Sequence, residues 1–504
     1  MTTFASGIER GLSGLDRSRN SLLYFGVLSV LLLLLLVSSG LANWYNEEHY
    51  FQLAFRRISP ESFTQYHTPF DKSDLRFLFE YIAGYPVAWF GFDRAVIISR
   101  IALAFGYAAS LTFFFKSFNL SVLEGAAVLI VFHLAGESLI GGEWLFWAVE
   151  SKTFAYVLVF LAFGLANHGR WRAAVIACAA AAYFHFLVGG FWGLVIVAVY
   201  FITVRDGKAA IKDFLVFCLL LSPLFYIIAR EQSGGAALTA GGLSVSQIYA
   251  AFRLPHHIAP FSLTPPLAGW WPGIVITVCL AVVVAVLVKR GVRSIPMLAG
   301  LIGLVEVALA LPISWLDRHT FLLSKLYLFR PSSLSLFLVM CGLVRVLKDS
   351  LPEGRRQAVN FLLCAGVLVF VSDGIIRQAR GQRRVYQPPE FEHLVAAIGA
   401  LTQPNDIVLI DPKGEDRWLK LHRVINRPTL VAWKFLPTNP AEIIRWYNLL
   451  ELRKQIYETG CGTTMPDLPI RWLVCTHLDT DPRPTGCGAV VWREGRVGLI
   501  QVEK

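Results

Sequence analysis

The chain has 504 residues, of which 55% are hydrophobic and only 16% are charged, and its formal net charge is +11. A water-soluble chain of this length could not bury so large an apolar fraction, so the composition excludes an ordinary soluble enzyme. Together with a mean hydropathy of +0.55, it predicts a membrane protein. The positive charge lies in short connectors between apolar stretches, so it indicates membrane topology rather than binding to nucleic acid.

Apolar stretches of membrane-helix length recur along the first three quarters of the chain. A bilayer core of about 30 Å needs about 20 apolar residues per helix. The predicted spans are residues 21–43, 94–115, 121–137, 153–168, 172–187, 189–204, 213–229, 271–288, 295–313, 326–347 and 357–376. The first span is too long for the apolar core of a signal peptide, so we expect it to be retained. The expected fold is an α-helical polytopic membrane protein with about 11 transmembrane helices.

The distribution of Lys and Arg predicts the orientation of these helices. An N-terminus in the cytoplasm puts the short connectors that are dense in Lys and Arg on the cytoplasmic side. Everything after about Arg377 then lies outside, which in a bacterium means that the chain is in the inner (plasma) membrane. The predicted domains are a transmembrane domain at 1–376, with a first outer loop at 44–93, and a small extracytoplasmic α/β domain at 377–504.

The tail has the pattern of a small α/β domain. Strands are predicted at Ile407 to Ile410 and at Pro428 to Leu436. A helix is predicted from Asn439-Pro440, because Asn suits the cap position and Pro the first turn. A strand at Trp472 to Cys475 and a hairpin over residues 490–502 complete the domain.

Three of the eight cysteines lie in this tail, at Cys461, Cys475 and Cys487. An oxidising compartment would permit one disulfide among them. Their spacing does not decide which pair forms, and one thiol would remain.

Two amphipathic segments are predicted in the first outer loop. Apolar residues at positions 50, 51, 54, 55 and 58 have helical spacing, which indicates a helix lying along the membrane surface. A second such segment runs from Leu75 to Phe90, and a polar turn from Tyr66 to Asp74 separates the two.

An acidic pair directly follows the first span, in the segment Asn46-Glu47-Glu48-His49-Tyr50. A carboxylate fixed at the boundary of water and lipid can act as a general base on an acceptor hydroxyl. Glu47 and Glu48 are therefore candidate catalytic residues, and His49 and Tyr50 are candidate substrate-binding residues. The alternative is an ordinary helix start, where the helix dipole favours Glu in the first turn.

This segment resembles a motif of the GT-C superfamily of polytopic glycosyltransferases, D-E-x-x-Y-x-x-x-A-R just after the first helix. Glu47, Tyr50 and Ala54 match the motif, whereas Asn46 replaces its first acid, which is the usual base. The layout also resembles the superfamily, with surface helices in the first outer loop, about eleven spans and an outer C-terminal domain.

The resemblance implies an enzyme that moves a sugar from a polyprenyl-phosphate donor to a glycan, lipid or protein acceptor on the outer face. Glu47 would be the base, with Glu48 or Glu150 as alternates. No cofactor is firmly expected, although a divalent metal stays open. Membrane lipid is an expected partner and nucleic acid is not.

A second group of ionisable residues lies in the second outer loop, at Glu143, Glu150 and Lys152. Members of the GT-C superfamily often place an acid here to hold a metal or to position the acceptor. Ionisable residues at membrane depth are functional candidates. The alternative is a surface charge balance between Glu150 and Lys152. His185 lies near the outer end of its span, where packing or a hydrogen bond between helices is the simpler interpretation.

A third group is basic and faces outward, against the positive-inside trend. A departing polyprenyl phosphate needs fixed cations, and Arg suits this role through its bidentate geometry. The candidate substrate-binding residues are Arg253, His256, His257, Arg318, His319, Lys325 and Arg330. The alternative for Arg330 is pairing with Asp317 or Glu306. Two adjacent histidines rarely bind one ion by themselves, so we predict no metal site at His256 and His257.

Other function classes stay open at this point. A transporter or flippase of lipid-linked sugars would predict inverted repeats and broken helices at mid-membrane, and no internal symmetry is evident. A polysaccharide polymerase or ligase would also use outer-loop Arg and His residues. An inactive scaffold for envelope assembly is compatible with Asn46 in place of the usual acid.

Overall fold

The computed structural model describes residues 21–38, 45–62, 73–232, 238–379, 388–460, 470–480 and 486–503. Two compact units are evident from the packing of the chain. The first unit comprises Met1–Leu41, Ile97–Ile227 and Tyr249–Arg383, and the second comprises Ala42–Val96, Ile228–Ile248 and Arg384–Lys504.

Long helices account for most of the described chain. Those of more than ten residues are α1 (Ser21–Ser38), α2 (Tyr45–Ile58), α3 (Phe77–Phe90), α4 (Phe92–Ser117), α5 (Val122–Leu134), α6 (Ser151–Asn167), α7 (Trp171–Phe184), α8 (Phe186–Val204), α9 (Gly207–Gln232), α10 (Trp271–Lys289), α11 (Ile295–Leu316), α12 (Ser332–Ser350), α13 (Glu353–Ala379), α14 (Phe391–Leu401) and α15 (Pro440–Thr459).

Within the described residues, five helices are long and apolar enough to cross a membrane, judged by length and composition: α4, α8, α9, α10 and α11. α1, α5, α6 and α7 are apolar but shorter. Each of the eleven predicted spans overlaps a helix between α1 and α13, and span 172–187 covers most of α7 and also the first two residues of α8. Residues 39–43 of the first span lie outside the described residues. The predicted class, an α-helical polytopic membrane protein with a small C-terminal sheet domain, is confirmed.

A one-residue break separates α7 from α8. The backbone of His185 is extended there, with φ −151° and ψ 103°, so the helical conformation is interrupted at this residue. The two helices meet closely at Gly189, where a Cβ atom would collide with the backbone of Ala182 and Cys178. Glycine is required at this contact because any side chain would push the helices apart.

The loop between α5 and α6 is folded around Glu137. This carboxylate is fully buried and accepts the backbone N–H groups of Leu145 and Phe146 at 2.7 and 2.8 Å. The His133 Nδ1 atom lies 2.8 Å from the same carboxylate. These bonds fix the course of the loop that carries Glu143.

In the second unit, α2 packs closely against α3. A Cβ atom at Gly84 of α3 would collide with the backbone carbonyl of Ala54, so the two backbones touch at this point. The rings of Phe51 and Phe79 meet edge to face across the same contact, with centroids 6.3 Å apart. Both amphipathic segments predicted in the first outer loop are therefore helices. Residues 66–72 of the predicted turn lie outside the described residues, and the placement of both helices on a membrane surface stays a prediction.

The C-terminal sheet contains four strands, β3 (Ile407–Ile410), β4 (Ile470–Cys475), β5 (Gly488–Glu494) and β6 (Val497–Val502); a separate two-stranded hairpin consists of β1 (Thr239–Ala240) and β2 (Leu243–Ser244). The strand order is β3-β4-β6-β5, with β3 parallel to β4 and the other pairs antiparallel. Buried side chains cover both faces of this sheet, as expected where helices pack on it. The predictions of β3, β4, the final hairpin and α15 are confirmed.

The predicted strand over residues 428–436 is wrong. The segment is irregular, and it pairs with the sheet only through an isolated bridge between Thr429 and Val408. Its apolar residues are buried by other contacts, because Ala432 and Phe435 pack against Leu53 of α2. The Trp446 indole N–H of α15 also donates to the Ala432 carbonyl at 2.9 Å.

Two of the three tail cysteines lie in the described residues. Cys475 is a buried thiol and Cys487 is disulfide-bonded. Cys461 lies outside the described residues.

Candidate functional site

Four charged side chains of the first unit form one group, here called the Glu143 cluster: the buried Glu143, Glu150 and Lys152, and the partly buried Arg330. The Lys152 ammonium lies 2.6 Å from Glu143 Oε2 and 3.5 Å from Glu150 Oε1. Arg330 Nε donates to Glu143 Oε1 at 3.0 Å. The ion pair of Glu150 with Lys152 is present, but both side chains are buried, so the pair is not the surface charge balance considered as the alternative.

Opposite charges keep the Glu143 carboxylate ionised inside the protein. Burial by itself raises the pKa of this carboxyl, but the charges of Arg330 and Lys152 outweigh burial, so the pKa of Glu143 lies well below its ordinary value. Glu143 is therefore an anion at neutral pH, in contact with Arg330 and Lys152.

Arg330 has partners on several sides. Its Nη1 atom lies 3.0 Å from His185 Nε2, which must accept because a guanidinium has only donors. Its Cζ atom lies 4.1 Å from the centre of the Tyr327 ring, and the Tyr327 hydroxyl is 2.9 Å from that of Tyr249. The Nη2 atom of Arg330 has no hydrogen-bond partner among the described residues. The alternative that Arg330 pairs with Asp317 or Glu306 is wrong, since its carboxylate partner is Glu143.

His257 borders this cluster, whereas His256 is exposed. The His257 Nδ1–H donates to the backbone carbonyl of Gly141. Burial lowers the pKa of His257 to about 3, against the opposing field of Glu143, so the imidazole is neutral. The rings of His256 and His257 are tilted by 45° to each other, with centroids 4.1 Å apart. Among the described residues, no group of three or more His, Cys, Asp or Glu side chains could hold a metal ion.

The remaining basic candidates have other surroundings. The Arg318 Cζ atom lies 3.8 Å from the centre of the Trp315 ring, and Nη1 donates to the Trp315 carbonyl at 2.8 Å. Arg318 therefore satisfies a backbone carbonyl at the C-terminal end of α11. His319 is exposed and Lys325 is half-buried. Arg253 is buried, with 7% of its surface exposed. Among the seven basic candidates, Arg330 contacts Glu143 directly and His257 lies within range of its charge.

An apolar cavity of about 370 Å³ lies beside Arg330 in the first unit. Apolar side chains of α8 and α9 and the segment 326–331 form most of its lining. Two charged residues line it as well, Arg330 and Glu306 of α11. A hydrocarbon chain fits such an apolar lining, and an anionic group at the end of the chain could pair with the guanidinium of Arg330, which lines the cavity.

In the second unit, the first turn of α2 carries the acidic pair, and both carboxylates are buried. Arg423 Nε donates to Glu48 Oε1 at 2.7 Å, and its Nη2 lies 3.4 Å from Glu48 Oε2. Gln52 of the next turn donates to the same carboxylate at 2.9 Å. Glu48 is therefore held in an ion pair with the C-terminal domain, and Glu47 is fully buried next to it.

The C-terminal domain also holds the residues on either side of the acidic pair. The Lys434 ammonium donates to the Asn46 side-chain oxygen. The His49 ring meets Phe435 edge-on at 5.2 Å and stacks with Tyr50. The sequence contains no signal for these contacts, since Arg423 and Lys434 lie more than 370 positions from their partners.

The structure places the candidate site residues in both units. Glu47, Glu48, His49 and Tyr50 belong to the second unit. The first unit contains the Glu143 cluster and the remaining basic candidates, Arg253, His256, His257, Arg318, His319 and Lys325.

No family model matches the chain, and no curated protein matches it. Among solved structures, similarity extends to ArnT from Cupriavidus metallidurans in the apo state, at 13% identity, with 94% of this chain and 96% of that chain covered and a TM-score of 0.42. The same protein bound to undecaprenyl phosphate is also 13% identical, with 94% of this chain and 97% of that chain covered and a TM-score of 0.37. At this identity and score, the similarity assigns neither an activity nor a residue role to this chain.

Proposed function

We propose that this chain is a membrane glycosyltransferase of the GT-C type, which transfers a sugar from a polyprenyl-phosphate donor to a glycan, lipid or protein acceptor. One observation carries the proposal: the guanidinium of Arg330 lies at the wall of an apolar cavity and has an Nη2 atom without a partner among the described residues. A ligand with a hydrocarbon chain and an anionic end would match both the apolar lining of the cavity and the N–H donors of Arg330.

Arg330 is proposed to hold the phosphate of the donor. Its Nε is committed to Glu143, which orients the guanidinium, while Nη2 keeps its N–H donors for a phosphate oxygen. Negative charge on the phosphate grows as the bond from the anomeric carbon to its oxygen breaks. A fixed guanidinium stabilises that charge more in the transition state than in the ground state.

Glu47 is proposed as the general base. Glu48 accepts two contacts from Arg423, so its charge is already compensated and its proposed role is to position the first turn of α2. The acceptor hydroxyl would give its proton to Glu47 while its oxygen bonds to the anomeric carbon. The polyprenyl phosphate would leave with the electrons of the broken bond, which inverts the configuration at that carbon. Glu48 and Glu150 remain alternates for the base.

The proposed location is the bacterial inner membrane, with the N-terminus in the cytoplasm and the C-terminal domain in the periplasm or outside the cell. The density of Lys and Arg in the short connectors supports this orientation. The proposed sugar acceptor therefore belongs to the outer face of the membrane.

The proposal is tested with the purified full-length protein in nanodiscs and radiolabelled undecaprenyl phosphate as the probe. Arg330→Gln should weaken binding at least tenfold. Arg345→Gln is a matched control, because Arg345 pairs with Asp349 on its own helix and does not line the cavity; it should bind as the wild type does. Equal binding by Arg330→Gln and the wild type would contradict the proposed phosphate site.

A transporter of lipid-linked sugars is the second candidate, and Glu306 is the observation that favours it. This carboxyl lies within α11 and lines the apolar cavity. Carboxyl groups at membrane depth are typical of proton-coupled carriers. Movement of a labelled lipid across liposomes that stops in Glu306→Gln, without any sugar transfer by the wild type, would favour the transporter.

A further inference from the structure

Several buried polar atoms of the first unit lack hydrogen-bond partners among the described residues, and they include Trp144 Nε1, Glu150 Oε1 and the Tyr156 hydroxyl. Glu150 retains only 2% of its surface exposed and Tyr156 retains none. Each of these atoms gives up its hydrogen bonds to water when the chain folds, and no described protein group hydrogen-bonds to it in return, although Lys152 lies 3.5 Å from Glu150 Oε1 as an ion-pair partner. Such atoms are rare in folded proteins, so several at one place call for a ligand or a bound water.

Trp144 and Glu150 contact the Lys152 ammonium, and Tyr156 follows Lys152 by four residues on α6, on the same face of that helix. Lys152 Nζ lies 3.8 Å from the centre of the Trp144 ring and 3.5 Å from Glu150 Oε1. Tyr156 lies within range of the charges on Glu143, Arg330 and Glu150. Trp144, Glu150 and Tyr156 thus belong to the surroundings of the Glu143 cluster, and we call them the Tyr156 subsite.

The chemistry of the subsite selects the class of ligand. The indole N–H only donates, the carboxylate oxygen only accepts, and the Tyr156 hydroxyl does both. A phosphate at this point would meet the Glu150 carboxylate, and an ammonium group would meet Lys152 at close range. The cluster has two carboxyl and two basic side chains, so a neutral group is favoured. Hydroxyl groups, which donate and accept without charge, satisfy all three atoms.

We propose that the Tyr156 subsite binds hydroxyl groups of the sugar carried by the donor lipid. This inference rests on the proposed function, because it takes the phosphate of that lipid to bind Arg330. Glu143 connects the two positions, since it accepts from Arg330 on one oxygen and from Lys152 on the other. A sugar joined directly to the phosphate would therefore lie next to the Lys152 side of the cluster. Trp144 and Tyr156 are thereby assigned as substrate-binding residues.

The test compares two probes, a polyprenyl-phosphate sugar and the same polyprenyl phosphate without sugar, on the full-length protein in nanodiscs. The wild type should bind the sugar-bearing lipid more tightly. Tyr156→Phe removes one hydroxyl and keeps the ring, and it should lower the ratio of the two affinities about tenfold while binding of the bare lipid is unchanged. Trp144→Phe, which keeps a ring against Lys152, should act in the same direction.

Tyr183→Phe is the matched control, because its hydroxyl donates to the Leu220 carbonyl and does not belong to the subsite. It should keep the wild-type ratio, and thermal unfolding should confirm that all variants are folded. An unchanged ratio in both Tyr156→Phe and Trp144→Phe would overturn the inference, and the three atoms would then hold only buried water. Binding of the bare lipid would survive that result, whereas failure of the wild type to bind either lipid would overturn the proposed function itself.

Discussion

Arg330 and Glu143 lie 187 positions apart in the chain, and the Arg330 Nε atom donates to Glu143 Oε1 at 3.0 Å inside the protein. The pair joins the loop before α6 to the segment before α12. Lys152 binds the other oxygen of the same carboxylate, which places a second cation against it. This carboxylate therefore orients Arg330, which we propose to hold the donor phosphate.

Breaking this pair should destabilise the first unit. Glu143→Gln leaves Arg330 without its anion and Lys152 with Glu150 alone, and we expect the free energy of unfolding to fall by about 3 kcal/mol. Adding Arg330→Gln removes the stranded charge, so the double variant should be more stable than the sum of the two single effects. Thermal unfolding of all four proteins in the same detergent measures the coupling. Simple additivity would show that the ion pair contributes nothing.

The ion pair between Arg423 and Glu48 should stabilise the second unit. Arg423→Gln leaves the Glu48 carboxylate buried without its cation, and a loss of about 2 kcal/mol is expected. Glu48→Gln in the same chain should restore most of this loss, because the stranded charge is gone. Protection of α2 amides against hydrogen exchange is the measurement, with Arg427→Gln as a control that leaves α2 untouched. The idea fails if the double variant exchanges faster than Arg423→Gln alone.

His257 should make the first unit sensitive to acid. Its pKa is about 3 in the folded protein because burial disfavours the charged ring, whereas the ordinary value is 6.5. The unfolded chain then binds a proton between these pH values and the folded chain does not. The contribution of His257 to the free energy of unfolding is fully present above about pH 6.5. It decreases as the pH drops towards 3, by at most about 1.4 kcal/mol per pH unit.

Unfolding midpoints at pH 7 and pH 4.5 check the effect of His257. The wild type should lose more stability between these values than His257→Gln, and His256→Gln should behave as the wild type because His256 is exposed. Equal losses in the wild type and His257→Gln would show that the imidazole is not held neutral by burial.

Hydropathy was sufficient to predict the helical membrane segments, because length and apolar content are local properties of the chain. The segment from Pro428 to Leu436 shows where local properties fail. Its apolar residues are typical of a strand, yet they are buried by contacts with α2 and α15 and not by hydrogen-bonded pairing with another strand. The acidic pair and Arg330 were recognised as site candidates from residue type and position. Their partners, Arg423 for Glu48 and Glu143 for Arg330, are set by tertiary packing, which residue spacing does not encode.

The most direct measurement of the central claim is sugar transfer from a pool of radiolabelled polyprenyl-phosphate sugars by the purified wild type and by Glu47→Gln. The account predicts transfer by the wild type and a loss of at least a hundredfold in Glu47→Gln, with the unfolding midpoint and binding of undecaprenyl phosphate unchanged. Equal transfer by the two proteins would remove Glu47 as the base. No transfer by the wild type from any donor in the pool would contradict the assignment as a glycosyltransferase.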